Sequence, residues 1–297
     1  MKWPYHPYEA LLAPARPKAQ VWRLAMGIIL VAGVVLLCNQ IAFGYLRSAM
    51  GSNAPAFFAA LDSGSTPLAM IILLLSFGFI IVGVGVAVRV AHLRGLGSVL
   101  GDLPLSWRQF RDVLVLLVLL NMAVFVLPPW GFGGELALNM AVGKWLVFLP
   151  FGLIAIFVQV SAEEVLFRGY LQQQLAARFS SPLVWILVPS ALFGVGHYMP
   201  VTAGDNAVLI ALWATAFGIM MADLTARAGT LGPAIAIHLV NNVTAILFVS
   251  LPGELSGLAL YLVPFEMSDT AEVRAWLPVD FMMMVTMWLT ARLALRR

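Results

Sequence analysis

Eight stretches of the sequence, near residues 24–46, 67–89, 111–128, 144–165, 183–198, 207–226, 231–250 and 277–295, are apolar over lengths that suit a bilayer crossing. About 20 apolar residues in a helix span the hydrocarbon, and in lipid each helix satisfies its own backbone. Composition agrees: 62% of the 297 residues are hydrophobic and 10% charged, far more apolar than a soluble domain requires. The expected fold is therefore all-α, a polytopic membrane protein of eight transmembrane helices forming a single integral membrane domain over residues 1–297. The fourth stretch runs on as a polar helix to about residue 178, and the fifth is short. The opening "MKWPYHPYEALLAPARPKAQ" reads as an interfacial lead-in to the first helix, not a cleaved leader. With Cys38 as the single cysteine, neither an intramolecular disulfide framework nor a cysteine metal site is available.

Charge sets the expected orientation. With the N-terminus inside, only Arg47, Lys144 and Arg274 of the 17 lysines and arginines fall outside. That bias predicts both termini on the cytoplasmic side. The basic residues follow the membrane, so the bilayer is the expected partner and nucleic acid is not. No oligomeric state follows from the sequence.

Most polar residues lie at segment ends. The exceptions gather in one third of the chain: Glu163, Glu164 and Arg168 in the fourth segment, His197 in the fifth, and His238, Asn241 and Asn242 in the seventh. A charge inside the membrane costs several kcal/mol unless paired or hydrated, which marks these positions as candidate functional residues. Ser180-Ser181-Pro182 signals a turn between segments four and five. Glu163 and His197 each stand 17 residues from Ser180, so an antiparallel hairpin puts them level, roughly 25 Å from the turn. Glu164 and Arg168 are four apart and suited to pair on one face. Glu163 is turned about 100° away from Glu164 and is free to face a cavity. His238 and Asn242 repeat the four-residue spacing. Gly194 and Gly196 remove bulk just before His197. His92 reads as a solvated loop residue, and Asn241 as a packing or capping group.

A carboxylate and an imidazole at one level hold a water between them. Glu163 then takes the water's proton as general base, and His238 with Asn242 donates to the oxyanion formed on an attacked carbonyl. These are the parts of an amide hydrolase. Two histidines and a glutamate also resemble part of a zinc set, so a divalent metal is the alternative cofactor. No HExxH motif, paired aspartates or serine nucleophile arrangement accompanies them.

Three motifs in order, "EEVLFR" from Glu163 to Arg168, "FGVGH" from Phe193 to His197 and "HLVNN" from His238 to Asn242, resemble those of the CPBP (CAAX protease and bacteriocin-processing, or Abi) intramembrane proteases. The resemblance covers roughly residues 145–250, the expected catalytic core. It implies an eight-helix endopeptidase, related to the type 2 CAAX prenyl proteases, acting on a membrane-associated and possibly prenylated peptide or protein. By position, it implies that Glu163 activates water with help from His197, that His238 and Asn242 form the oxyanion site, and that Glu164 and Arg168 support it. Asn242 is a poor zinc ligand, so no required cofactor is expected. An alanine- and leucine-rich chain of this kind points to a bacterial inner membrane. A non-catalytic immunity or scaffold protein of the same fold is the rival reading, with a proton-coupled transporter behind it.

Overall fold

In a computed structural model, which describes residues 4–127 and 134–296, eight apolar helices account for most of the chain. They are α1 (Val21–Ser63), α2 (Pro67–Val90), α3 (Leu103–Val126), α4 (Val142–Arg178), α5 (Pro182–Gly196), α6 (Pro200–Ala228), α7 (Gly232–Phe248) and α8 (Thr270–Leu295). All but α5 and α7 are long and apolar enough to cross a membrane. The eight expected segments coincide with these helices, and the fold is an all-α polytopic membrane protein. The expected end of the third segment, residue 128, lies outside the described residues, as do Lys2 and Arg297 of the charge count. α3 begins eight residues before the expected position 111. Its start is set by Asp102, whose side chain accepts from the Leu105 N–H at 2.9 Å, satisfying a donor that the helix leaves free.

Antiparallel neighbours pack along the chain, α1 on α2 and α5 on α6, while α7 lies between α3 and α4. Small residues allow the close approaches. A Cβ at position 194 would overlap Thr215 Oγ1 and the Ala211 carbonyl oxygen of α6. Gly194 is therefore where α5 meets α6, whereas Gly196 has open space around it. Gly194→Ala is expected to force the pair apart, at about 1–3 kcal/mol for overpacking. Thermal unfolding in detergent checks it, and an unchanged midpoint would mean the helices are not so close.

A cavity of about 920 Å³ is lined by Pro7, Leu11, Asp102, Gly229 and Arg296, among others, so residues near both ends of the chain meet at one end of the bundle. Here the N-terminal segment departs from the expected interfacial lead-in. It folds back in short helical turns that bury Tyr8, Leu11, Leu12 and Ala15. Tyr5 donates to Asp223 at 2.8 Å, and Gln173 Nε2 donates to the Leu11 carbonyl at 2.6 Å. His92 is a second correction: it is 2% exposed, not solvated. Its Nδ1–H donates to the Lys18 carbonyl and its Nε2 accepts from the Tyr170 hydroxyl, each at 2.9 Å. Burial holds this imidazole below its usual range, which suits the neutral form those two partners require. At the opposite end, three two-residue strands form a small sheet in the order β1 (Ala137–Leu138), β3 (Tyr261–Leu262), β2 (Val249–Ser250). It ties the loop before α4 to the exit of α7.

Candidate active site

The polar cluster is held by α4, which changes its winding at that point. Regular α-helix runs to Glu164, a π-helical stretch covers Val165–Gln172, and α-helix resumes to Arg178. Single π turns inside α-helices recur at functional sites. Along this stretch α4 hydrogen-bonds to carbonyls of α6: Arg168 Nη2 donates to Gly218 at 3.3 Å and Gln172 Nε2 to Ala222 at 3.0 Å. Gly218 also lets α6 close on α5, since a Cβ there would press on Ser190 of α5 at 2.9 Å.

Glu164 is 0% exposed and Arg168 1%. Arg168 Nη1 donates to Glu164 Oε1 at 3.0 Å, the pairing expected from the four-residue spacing. The guanidinium also lies over the Phe193 ring, 4.8 Å from its centroid, which adds an attraction suited to a desolvated cation.

His238 enters from α7 and stands between the two glutamates. Its Nδ1 is 2.8 Å from Glu164 Oε1, so Nδ1–H donates to that carboxylate. Its Nε2 is 3.4 Å from Glu163 Oε2, within ion-pair range but not aligned as a hydrogen bond, and Glu163 Oε2 is a buried oxygen with no hydrogen-bond donor among the described residues. The Phe217 and Phe193 rings flank the imidazole edge-on, with centroids at 5.0 and 5.9 Å. His238 thus links the two adjacent glutamates, one through a hydrogen bond and the other through a longer contact.

His197 caps the end of α5. The Phe193 ring lies beside Phe167, at 5.2 Å, and beneath Arg168. His197 follows one turn further on, its ring 4.5 Å from that of Phe193. Its Nδ1–H donates to the Phe193 carbonyl at 2.9 Å, which leaves Nε2 as the acceptor. No hydrogen bond or ion pair joins His197 to Glu163 among the described residues. Asn242 stands one turn beyond His238, where its Nδ2 donates to Gln159 Oε1 at 2.9 Å and its Oδ1 accepts from Asn241 at 3.1 Å.

Gln159 is the site residue that sequence reasoning missed. Its spacing, four residues before Glu163 on the same helix, was the available signal. Among the described residues no three His, Cys, Asp or Glu side chains gather as a metal-binding group. His238 directs both nitrogens at glutamates, Glu164 is taken by Arg168, and Asn242 is committed to amides. These residues, so committed, do not fit a zinc site.

Residues 144–244 match the family model of the type II CAAX prenyl endopeptidase Rce1-like proteins. The motif resemblance thus holds over this segment, which contains every site residue named above. The uncharacterized protein YyaK of Bacillus subtilis (strain 168) is 26% identical over 250 residues, covering 82% of each chain. No solved structure matches significantly.

Proposed function

Taking the Rce1-like segment as premise, we propose that this chain is an intramembrane endopeptidase that cleaves a membrane-associated substrate by glutamate-activated water. The observation that carries the reading is His238 held between Glu163 and Glu164 in the buried core of the matched segment. Glu164, fixed by Arg168, anchors the imidazole. Glu163 is the group that accepts a proton, as a carboxylate does in general-base catalysis. A water placed between Glu163 and His197 Nε2 gives one proton to Glu163 as its oxygen bonds to the substrate carbonyl carbon. The carbonyl oxygen becomes the oxyanion. When the intermediate collapses, the C–N bond breaks and Glu163 returns the proton to the departing amine. The amide is converted to acid and amine, and the enzyme is unchanged.

The substrate class that the family match supports is a prenylated CAAX-type chain. Its lipid would lie in the bilayer beside a site that is itself within the membrane-spanning helices. We place both termini on the cytoplasmic side of a bacterial inner membrane, a placement supported by the distribution of the 17 basic residues and by the meeting of Pro7 and Arg296 at one end of the bundle.

Purified protein in detergent tests this with farnesylated and unprenylated peptides, with and without phenanthroline, using Glu163→Ala as the blank. The expected result is cleavage that needs Glu163 and survives the chelator. Cleavage lost with the chelator would overturn the metal-free mechanism. Absence of cleavage on every peptide would overturn the endopeptidase reading in favour of a non-catalytic role.

A further inference from the structure

The cavity where the two ends of the chain meet takes no part in the chemistry above. It holds about 920 Å³, and its walls are of two kinds. Leu11, Leu105 and Leu295 supply apolar surface, whereas Arg108, Arg296, Asp102 and Asp112 supply charge. The charges are unequally employed. Asp102 accepts from the Leu105 N–H at 2.9 Å, and Asp112 is paired with Arg111 at 2.8 Å. The guanidiniums of Arg108 and Arg296 have neither a hydrogen bond nor an ion pair among the described residues, so the lining is net positive.

Arg296 holds its place against backbone preference. It ends α8 in the left-handed conformation, with φ at 54°, where its N–H donates to the Leu293 carbonyl at 3.0 Å. Glycine suits such a helix end best, because a Cβ is disfavoured there. An arginine instead sets a cation on the cavity wall. Trp107, next to Arg108 on α3, marks the depth. It is 63% exposed and stacks on Phe110 at 5.3 Å, and tryptophan is enriched where helices pass the headgroup layer of a bilayer.

An occupant that fits is therefore anionic, lies at headgroup depth and carries an apolar part. A free phosphate meets only the first condition. We propose that this cavity binds the headgroup of an anionic phospholipid. Arg108 and Arg296 hold the phosphodiester, while the glycerol and first acyl carbons lie against Leu11, Leu105 and Leu295. One phosphodiester brings one negative charge, which offsets the positive excess of the lining. The walls come from the N-terminal segment, the start of α3, the Gly229 turn and the end of α8, so the lipid ties both ends of the chain to the bundle. The inference is independent of the endopeptidase reading.

Delipidated full-length protein in a neutral detergent tests it, with phosphatidylglycerol, phosphatidylcholine or inorganic phosphate added. Native mass spectrometry reads binding, and thermal unfolding reads stabilisation. Phosphatidylglycerol is expected to stay bound and to raise the unfolding midpoint, since a ligand of the folded state stabilises it. Phosphatidylcholine and inorganic phosphate are expected to do neither. Arg108→Gln or Arg296→Gln alone should weaken phosphatidylglycerol binding about fivefold, and the double variant about 25-fold. The single variants decide the matter if the double variant does not fold. Arg89→Gln with Arg178→Gln is the control, because both arginines end helices at the same end of the bundle but neither lines the cavity. It should bind as wild type does.

Wild type that binds no phosphatidylglycerol, or binds phosphatidylcholine equally, would overturn the proposal. Equal stabilisation by inorganic phosphate would replace the lipid with a free anion. An equal loss in the control would reduce the effect to general attraction between a basic surface and anionic lipid, and the cavity would not be the site.

Discussion

Glu163→Ala is expected to abolish cleavage, a fall of about 10²–10⁴-fold or to the detection limit, without lowering the thermal unfolding midpoint. The two halves of this prediction come from one asymmetry. Glu163 and Glu164 are adjacent, and among the described residues the Oε2 of each is buried without a hydrogen-bond donor, yet Glu164 is held through Oε1 by Arg168 and His238, whereas no hydrogen bond holds Glu163. A buried carboxylate oxygen without a donor is a cost to the fold, so deleting it relieves the folded state. His238 keeps its bond to Glu164 in the variant, and the bundle keeps every helix contact. What disappears is the proton acceptor nearest the site of attack. Single-turnover cleavage and thermal unfolding of the same preparation test both halves. Wild-type turnover would remove Glu163 from the mechanism. A dead variant with a collapsed midpoint would instead make Glu163 part of the framework.

That asymmetry was partly legible in the residue order. Charges inside apolar helices are conspicuous because the membrane makes them expensive, and Glu163, Glu164, Arg168, His197 and His238 were all read on that ground. The four-residue step from Glu164 to Arg168 predicted their pairing. Other features left no such mark. Gln159 carries no charge, so one amide in an apolar run drew no notice, and its partner Asn242 is 83 residues away. The solvated position expected for His92 fails because the carbonyl of Lys18 and the hydroxyl of Tyr170 reach it from 74 and 78 positions off. Nothing local announces such partners. The π-helical stretch was invisible for a different reason: helical periodicity is averaged over many residues, and eight residues of wider winding barely disturb it. Two-residue strands are likewise too short to show alternation. The start of α3 lay in plain view as Asp102 before a proline, but Arg108 and Arg111 lowered the local hydropathy and pushed the expected boundary inward.

Arg168→Met is expected to cost about 3–5 kcal/mol of stability, the usual range for removing one partner of a buried ion pair. The guanidinium compensates Glu164, donates to the Gly218 carbonyl on α6, and rests on the Phe193 ring of α5. Its loss strands Glu164, already 0% exposed, with only His238 for support, and removes one of the two hydrogen bonds from the irregular stretch of α4 to carbonyls of α6. A methionine fills much of the space, so the cost is electrostatic and not a cavity. That distinction makes the prediction sharp. Adding Glu164→Gln to Arg168→Met removes the stranded charge, and the double variant is expected to unfold at a higher temperature than Arg168→Met alone. A double variant no better than the single would mean that packing, not charge, carries the loss. Arg168→Lys is expected to recover only part of the stability, because a single ammonium cannot meet both Glu164 and Gly218 in the arginine's forked geometry. Restored folding in the double variant is not expected to restore cleavage. With Glu164→Gln, His238 Nδ1 keeps only a neutral amide acceptor, a weaker anchor than the carboxylate for aiming Nε2 at Glu163, so folding and turnover part company at Glu164.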